Sequence, residues 1–336
     1  MADKRIGLQT IRLNTPPVIT ARATVVGHRE GEGPLGEYFD HIVTDDLWGE
    51  ATCELAERKM MEEAIRRVFQ ASTLEPEEVG FFIAGDLLNQ IITSSFVARG
   101  LGRPFLGIYG ACSSMTEGLA LGALLVDGEY ADHVLVATSS HYQAAERQFR
   151  YPVEQNIQRS GRAQFTVTGS GAAILSKEGR GPRITEVTFG KVIDLGITNP
   201  EDLGSAMAPA AADTLLQHFQ DTGRDVGDYD LIMTGDLAKV GKSMFSGLMQ
   251  DAGHSLGNKH IDGGAVIYGD NPKFKAGGSG CACSAVVFLG YVMRLLEEGR
   301  LRRVLFMATG ALFSPLSYQQ GESIPGIAHA VVVEAQ

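Results

Sequence analysis

Cysteine is scarce in this sequence, and its arrangement excludes two classes of site. The four cysteines of the 336-residue chain are Cys53, Cys112, Cys281 and Cys283. So few thiols in so long a chain do not form the disulfide framework that stabilises a small secreted domain. They also contain no Cys-x-x-Cys pair and no zinc-ligand grouping, so we expect no metal site.

Basic residues are outnumbered by acidic ones. The chain has 29 lysines and arginines against 40 aspartates and glutamates, which gives a formal net charge of −11. A surface of this sign repels phosphate backbones and anionic lipid headgroups. We therefore expect neither nucleic-acid binding nor direct electrostatic binding to a membrane.

Uninterrupted apolar runs are also missing. The residues from Met1 to Ile6 have no apolar stretch behind their charges, so no signal peptide is predicted. The uncharged span between Lys275 and Arg294 is long enough to raise the question of a membrane helix. Its first half is rich in glycine and small polar residues, so we interpret it as a loop that leads into a buried helix. The expectation is a soluble, cytoplasmic protein.

The segment from Gly110 to Ser114 connects a predicted strand, 105–109, to a predicted helix, 115–128, that is apolar on nearly every face. Such a helix lies inside a protein. Its first residues present unpaired N–H groups and the positive end of the helix dipole, which lower a thiol's pKa and can hold an anionic oxygen. Cys112 is therefore either a functional thiol or a small buried residue that serves packing.

The second half of the chain repeats the first. Residues 81–87 and 229–237 both read as a strand that ends in Gly-Asp-Leu. Two related α/β halves with apolar middle helices predict a duplicated five-layer α/β/α/β/α sandwich, with halves at residues 1–178 and 179–336 that form one compact unit. Three pairs of landmarks share one offset in the sequence: Cys112 and Cys283, Gly128 and Gly299, and Thr138 and Thr309.

This duplication, together with the turn Ala111-Cys112-Ser113, resembles the thiolase superfamily, which comprises the thiolases and the condensing enzymes of fatty-acid and polyketide synthesis. Those enzymes carry their nucleophile in an Ala-Cys-Ser or Ala-Cys-Ala turn before the buried helix of the first half. Longer stretches resemble the stage V sporulation branch of the superfamily from endospore-forming bacteria: 84–89, 145–152, 192–198, 204–214 and 276–285.

The narrower resemblance implies a non-catalytic protein of sporulation and spore germination, without a cofactor. It implies binding of dipicolinic acid, as the free acid or its calcium chelate, and help in loading it into the developing spore. Other stage V sporulation membrane proteins would be its partners and would bring it to the forespore or spore inner membrane. The superfamily also implies a homodimer that pairs through the strand 105–109.

Catalysis by Cys112 would require two polar partners that deprotonate the thiol and stabilise an enolate. In the condensing enzymes both partners come from the second half, and here their positions fall on Gly235 or Asp236 and on Ser279. Because no imidazole is present and a carboxylate repels a carbanion, we interpret Cys112 as a vestigial nucleophile and expect no catalytic residue. An acyl-thioester condensing enzyme or acyltransferase that uses Cys112 is the alternative. A third alternative is a scaffold with a vestigial pocket.

Two carboxylates follow predicted strands, one in each half: Asp86 and Asp236. Carboxylates at such positions commonly cap a helix. They could instead accept a proton from a ligand carboxyl group or help to hold calcium. The sequence contains no Asp-x-Asp-x-Asp-Gly calcium loop.

Other polar residues are candidates for the ligand pocket. His141 could reach the pocket or lie in a surface loop, and Arg147 and Arg150 could bind carboxylates or form salt bridges at a dimer interface. The polar segment 143–158 is interpreted as a loop or lid. Gly326 could donate its N–H to the cavity, as the last glycine-rich loop does in the family. The predicted ligand-binding residues are Asp86, Cys112, His141, Arg147, Asp236, Ser279, Cys283, Ser284 and Gly326.

Overall fold

Short runs of branched apolar residues form the strands of a large mixed sheet. The computed structural model describes residues 4–336. The strands are β1 (Thr10–Arg12), β2 (Val18–Val26), β3 (His41–Ile42), β4 (Phe81–Gly85), β5 (Phe105–Gly107), β6 (His133–Ser140), β7 (Phe165–Thr166), β8 (Gly169–Ser176), β9 (Arg183–Phe189), β10 (Leu231–Gly235), β11 (His260–Asp262), β12 (Gly278–Ser279), β13 (Arg303–Ala311) and β14 (Gly326–Glu334).

The helices alternate with these strands along the chain. A π-helical segment, Val287–Val292, joins the last two helices of the middle layer, α9 and α10. The helices are α1 (His28–Gly31), α2 (Cys53–Ala71), α3 (Ile92–Leu101), α4 (Ser114–Asp127), α5 (Tyr142–Phe149), α6 (Leu203–Thr222), α7 (Ala238–Asp251), α8 (Gly263–Val266), α9 (Cys281–Val286), α10 (Met293–Glu297) and α11 (Pro315–Gln319).

The two halves of the sheet have the same strand order. It runs β5-β4-β6-β8-β2 in the first half and β11-β10-β13-β14-β9 in the second. In each half the fourth strand of that order, β8 or β14, is antiparallel to its neighbours, while the three strands before it are parallel. The halves meet where Val18 pairs with Arg183. The predicted division after residue 178 falls in the link between β8 and β9 and stays a prediction.

The helices form three layers around the two halves of the sheet. The middle helix α4 contacts β4, β6 and β8 of the first half and β9, β13 and β14 of the second. Helix α9 contacts β2, β6 and β8 on one side and β10 on the other. Helix α2 covers β2, β8 and β6 from outside, and α6 covers β14 and β13. The α/β fold class predicted from the sequence is confirmed.

Small residues allow the middle helices to lie close to the strands. A Cβ atom on Gly118 of α4 would lie 2.7 Å from the Cγ1 atom of Val136 on β6, so only glycine fits there. Fully buried Met115 and Leu119 fill the space on either side. Each such side chain contributes about 1.5–3 kcal/mol by its removal from water. Within residues 4–336, no helix is long and apolar enough to cross a membrane.

The first prediction concerns His329 on β14, which is 9% exposed and whose Nδ1 atom accepts a hydrogen bond from the Gly190 N–H at 3.2 Å. Burial lowers the pKa of His329 to about 4. The unfolded chain binds a proton at this side chain below pH ~6.5, whereas the folded protein does not until pH falls to about 4. The contribution of His329 to the free energy of unfolding is therefore fully present above pH ~6.5. It is lost on acidification, by about 1.4 kcal/mol per pH unit.

Substitution His329→Gln keeps a hydrogen-bond acceptor and removes the titration. We expect acidification from pH 6.5 to 4.5 to reduce the free energy of unfolding of the wild-type protein by about 2–3 kcal/mol more than that of the variant. Urea unfolding of both proteins at several pH values measures this difference. Parallel pH profiles would contradict it.

Candidate functional site

Cys112 lies in a strained turn between β5 and α4, at the junction of the two halves. The turn Ala111–Ser113 is a single 3-10 turn in which Ala111 has a left-handed φ of +48°. Gly310 of β13 supports it from the second half, because a Cβ atom there would lie 2.1 Å from the Gly110 carbonyl oxygen. The position of Cys112 therefore depends on contacts between residues far apart in the sequence.

Cys112 faces a small internal cavity of about 40 Å³, which we call the inner cavity. This volume has room for only a few water molecules. Apolar side chains form most of its wall, with the hydroxyls of Thr166 and Ser279 and the guanidinium of Arg150 as polar groups. Its lining residues are Leu87, Tyr109, Ala111, Cys112, Ala145, Phe149, Arg150, Thr166, Leu203, Ser279, Ala311 and Phe313.

The Cys112 thiol is protonated at neutral pH. Its side chain is 7% exposed, and burial is the main cause that raises its pKa far above the usual value. The Asp236 carboxyl raises this pKa further, while the backbone N–H of Gly280 lowers it only in part. The expectation that the helix N-terminus would lower the pKa of this thiol is therefore wrong, because desolvation outweighs the dipole.

Asp236 is a buried acid in an unusual backbone conformation. It has a left-handed φ of +75° and no exposed surface. Among the described residues, neither of its carboxyl oxygens has a hydrogen-bond partner. Burial raises the pKa of Asp236 well above its usual value, and the charge of Asp262 raises it further. Burial therefore favours the protonated form of Asp236, and in that form its carboxyl cannot accept a proton from Cys112.

Asp86, the corresponding residue of the first half, has an internal structural role. One of its carboxyl oxygens accepts a hydrogen bond from the Leu88 N–H at 2.9 Å. The other accepts bonds from the Ser94 N–H at 2.8 Å and the Ser94 hydroxyl at 2.7 Å. These bonds tie the end of β4 to α3, and Asp86 does not line the inner cavity.

The start of α9 contributes three further predicted residues around Cys112. Ser279 lines the inner cavity, and the Ser284 hydroxyl donates a hydrogen bond to the Cys112 carbonyl at 3.5 Å. Cys283 is fully buried in the core near Asp236. The thiol that packs against Cys112 is instead that of Cys281, which donates to the Ala111 carbonyl at 3.0 Å. The offset between the halves pointed to Cys283 and therefore missed Cys281.

The structure places His141, Arg147 and Gly326 away from the inner cavity. His141 caps α5, with Nδ1 accepting from the Gln143 N–H at 3.2 Å and Nε2 donating to the Asp46 carbonyl at 2.7 Å. Arg147 is exposed and pairs with Glu54 at 3.2 Å. The Gly326 N–H donates to the Ile193 carbonyl at 2.7 Å, so it is not free for a ligand. The prediction that His141, Arg147 and Gly326 contact a ligand in this cavity is therefore wrong.

Helix α5 supplies the cation that does reach the inner cavity, Arg150. The interpretation of residues 143–158 as a loop or lid is wrong for their first part, because α5 spans Tyr142–Phe149 and buries Ala145 and Glu146 on its inner face. The spacing of Glu146 on α5 and Arg150, the residue that follows the end of α5, was the available sequence signal, because groups four residues apart can pair. Among the described residues, no group of three or more His, Cys, Asp or Glu side chains could hold a metal ion.

The second prediction follows from the protonated thiol. Because only the thiolate is nucleophilic, Cys112 in the folded protein should remain unmodified by iodoacetamide at pH 8 over an hour. All four cysteines should react once the chain is unfolded in guanidinium chloride. Peptide mass spectrometry measures both states, and the unfolded sample serves as the control. Rapid alkylation confined to Cys112 in the folded protein would contradict the assignment.

Comparison with known proteins identifies the family of this chain and supports its fold. The chain matches the family model described as Stage V sporulation protein AD (SpoVAD) over residues 7–334. The Stage V sporulation protein AD of Bacillus subtilis (strain 168) is 48% identical over 331 residues, which cover 98% of this chain and 98% of that protein. The resemblance predicted from the sequence is confirmed.

Solved structures share the fold at much lower sequence identity. The 3-oxoacyl-(acyl-carrier-protein) synthase III of Aquifex aeolicus VF5 has a TM-score of 0.60 and 15% identity, covering 95% of this chain and 99% of that chain. The corresponding synthase FabH of Xanthomonas oryzae pv. oryzae also has a TM-score of 0.60, with 16% identity over 96% of this chain and 100% of that chain. The chain therefore belongs to the stage V sporulation protein AD family and has the thiolase-like fold of these synthases.

Proposed function

We propose that the protein is a non-catalytic binding protein for dipicolinic acid, and that it acts in the uptake of dipicolinate into the developing spore. Membership of the stage V sporulation protein AD family supports the role in sporulation. The observation that carries the non-catalytic assignment is the burial of two groups at the site, the Cys112 thiol and the Asp236 carboxyl. Burial holds Cys112 as a thiol. The position at which the condensing enzymes have a histidine falls on Gly235 or Asp236, and burial raises the pKa of the Asp236 carboxyl.

The lining of the inner cavity fits the chemistry of dipicolinate, a flat pyridine ring with two carboxylates. Phe149, Phe313 and Leu87 offer apolar surface for the ring. The hydroxyls of Ser279 and Thr166 can donate to one carboxylate, and the Arg150 guanidinium can bind the other. Cys112 forms the floor between these groups. If the calcium chelate is the ligand, the ion would arrive with dipicolinate.

We also propose that the protein is a homodimer that pairs through β5. This strand is an edge of the sheet, so its outer backbone groups are available to a second copy. Apolar side chains are exposed beside it on β5 and on α3: Ile92, Phe96, Leu106 and Tyr109. Burial of this patch against its copy would remove it from water.

Family membership further supports a location at the forespore or spore inner membrane, reached through other stage V sporulation membrane proteins. The net charge of −11 disfavours direct attraction to anionic lipids. A protein partner is therefore the proposed means of attachment.

The third prediction tests the ligand and its site together. Wild-type protein should release or absorb measurable heat when titrated with dipicolinate up to millimolar concentration. Cys112→Trp should abolish this heat, because an indole fills the inner cavity. Cys53→Ser is the matched control, since Cys53 is the buried first residue of α2 and its thiol donates to the Gln143 side chain at 2.8 Å. Absence of heat with the wild-type protein would refute the proposed ligand.

The fourth prediction tests the dimer. Wild-type protein should have the mass of two chains in multi-angle light scattering. Leu106 is 39% exposed on β5. Leu106→Arg should shift the protein to a single chain, because each copy would then bring a positive charge into the proposed interface and the two like charges repel. Leu195→Arg is the matched control, as Leu195 is 68% exposed on a loop far along the chain from β5, and that variant should stay dimeric. A wild-type monomer would contradict the proposal.

A further inference from the structure

Arg150 lies where the inner cavity meets two neighbouring clefts. One cleft has a volume of about 180 Å³ and lies against Tyr142 and Asn156, and we call it the small cleft. The other has a volume of about 520 Å³ and lies against Pro200 and Tyr318, and we call it the large cleft. Arg150 lines the inner cavity and both clefts. Movement of this one side chain would therefore widen the connection between the inner cavity and the clefts.

Hydrogen bonds to Glu146 and Pro200 hold the Arg150 side chain in its place beside the inner cavity. Its Nε and Nη2 atoms donate to the two Glu146 carboxylate oxygens at 3.1 and 2.9 Å. Its Nη1 atom donates to the Pro200 carbonyl at 3.1 Å. The side chain is only 9% exposed. Glu146 thus presents to Arg150 the same group, a carboxylate in bidentate geometry, that a dicarboxylate ligand would present.

Glu146 is shared with a second guanidinium, that of Arg159, with which it forms an ion pair. Arg159 is fixed independently, because it lies over the rings of Tyr142 and Phe165 at 5.3 and 4.7 Å from their centroids. Burial raises the pKa of Glu146, but the two arginines outweigh it, so the net pKa lies below the usual value and Glu146 stays ionised. Glu146 would keep a partner if Arg150 moved away.

The charge balance of this cluster favours an incoming anion. Two guanidinium groups face one carboxylate, so the group of Glu146, Arg150 and Arg159 carries one net positive charge. Glu201 also lines both clefts. A ligand carboxylate bound by Arg150 would complete two ion pairs, Arg150 with the ligand and Arg159 with Glu146. No buried charge would then be left without a partner.

We propose that Arg150 is the gate and the carboxylate-recognition residue of the inner cavity. An aromatic carboxylate arriving in a cleft replaces Glu146 as the partner of Arg150, the guanidinium leaves the cavity wall, and the ring enters the space beside Cys112. The proposal rests on the proposed function, since it takes dipicolinate as the ligand. It assigns Glu146 as a resident competitor that occupies Arg150 while the ligand is absent.

Calorimetry with dipicolinate on four variants tests the gate. Arg150→Ala should raise the Kd by roughly 10- to 100-fold, the usual loss for charge-assisted hydrogen bonds. Arg150→Lys should give a smaller loss, because lysine keeps the charge but not the bidentate geometry. Arg147→Ala is the matched control on the same helix and should change the Kd less than twofold. Glu146→Gln should lower the Kd and raise the association rate measured by surface plasmon resonance, because the competing charge is removed.

The outcomes separate failure of the gate from failure of the proposed function. If wild-type protein binds dipicolinate and Arg150→Ala behaves like Arg147→Ala, the gate is refuted while the ligand stands. If Glu146→Gln weakens binding, Glu146 positions Arg150 rather than competing for it, and the exchange is refuted. Wild-type protein that binds no dipicolinate would refute the proposed function itself. Thermal melting of each variant verifies folding, and Arg150→Lys keeps the test decisive if Arg150→Ala does not fold.

Discussion

Desolvation at the junction of the two halves governs the chemistry of the site. The middle helices α4 and α9 begin at this junction, and each is enclosed by strands of both halves. The two groups that catalysis would need in charged form, the Cys112 thiol and the Asp236 carboxyl, lie where water does not stabilise a charge. Burial therefore favours the neutral form of both groups, and at Cys112 it outweighs the dipole at the start of the helix.

The same enclosed geometry suits recognition of a small ligand. Close contact between Gly310 and the Gly110 carbonyl fixes the floor of the inner cavity, and α5 contributes Ala145 and Phe149 to its wall. The polar groups that remain on the wall are hydroxyls and one guanidinium. A scaffold shared with acyl-group synthases thereby presents hydrogen-bond donors for carboxylates. The ion pair of Arg150 with Glu146 lies at the edge of this site.

The sequence predicted the architecture well because the architecture follows from local patterns. The duplication and the apolar middle helices were sufficient to predict the layers, and the position of Cys112 beside Ser279 followed from the family resemblance. The sequence did not predict the raised pKa of Cys112, since burial by the second half of the chain is a long-range effect. It also misread α5, because a polar segment was taken as solvated while Glu146 and Arg150 are buried as a pair.

The central claim is that the site retains the cysteine of a condensing enzyme but cannot activate it. Incubation of the folded protein with acetyl-CoA and acetoacetyl-CoA, followed by intact mass spectrometry, tests this most directly. We predict that the mass stays that of the unmodified chain and that no free CoA is released above the rate of spontaneous hydrolysis. An acyl adduct mapped to Cys112, or turnover of either thioester at an enzymatic rate, would contradict the account.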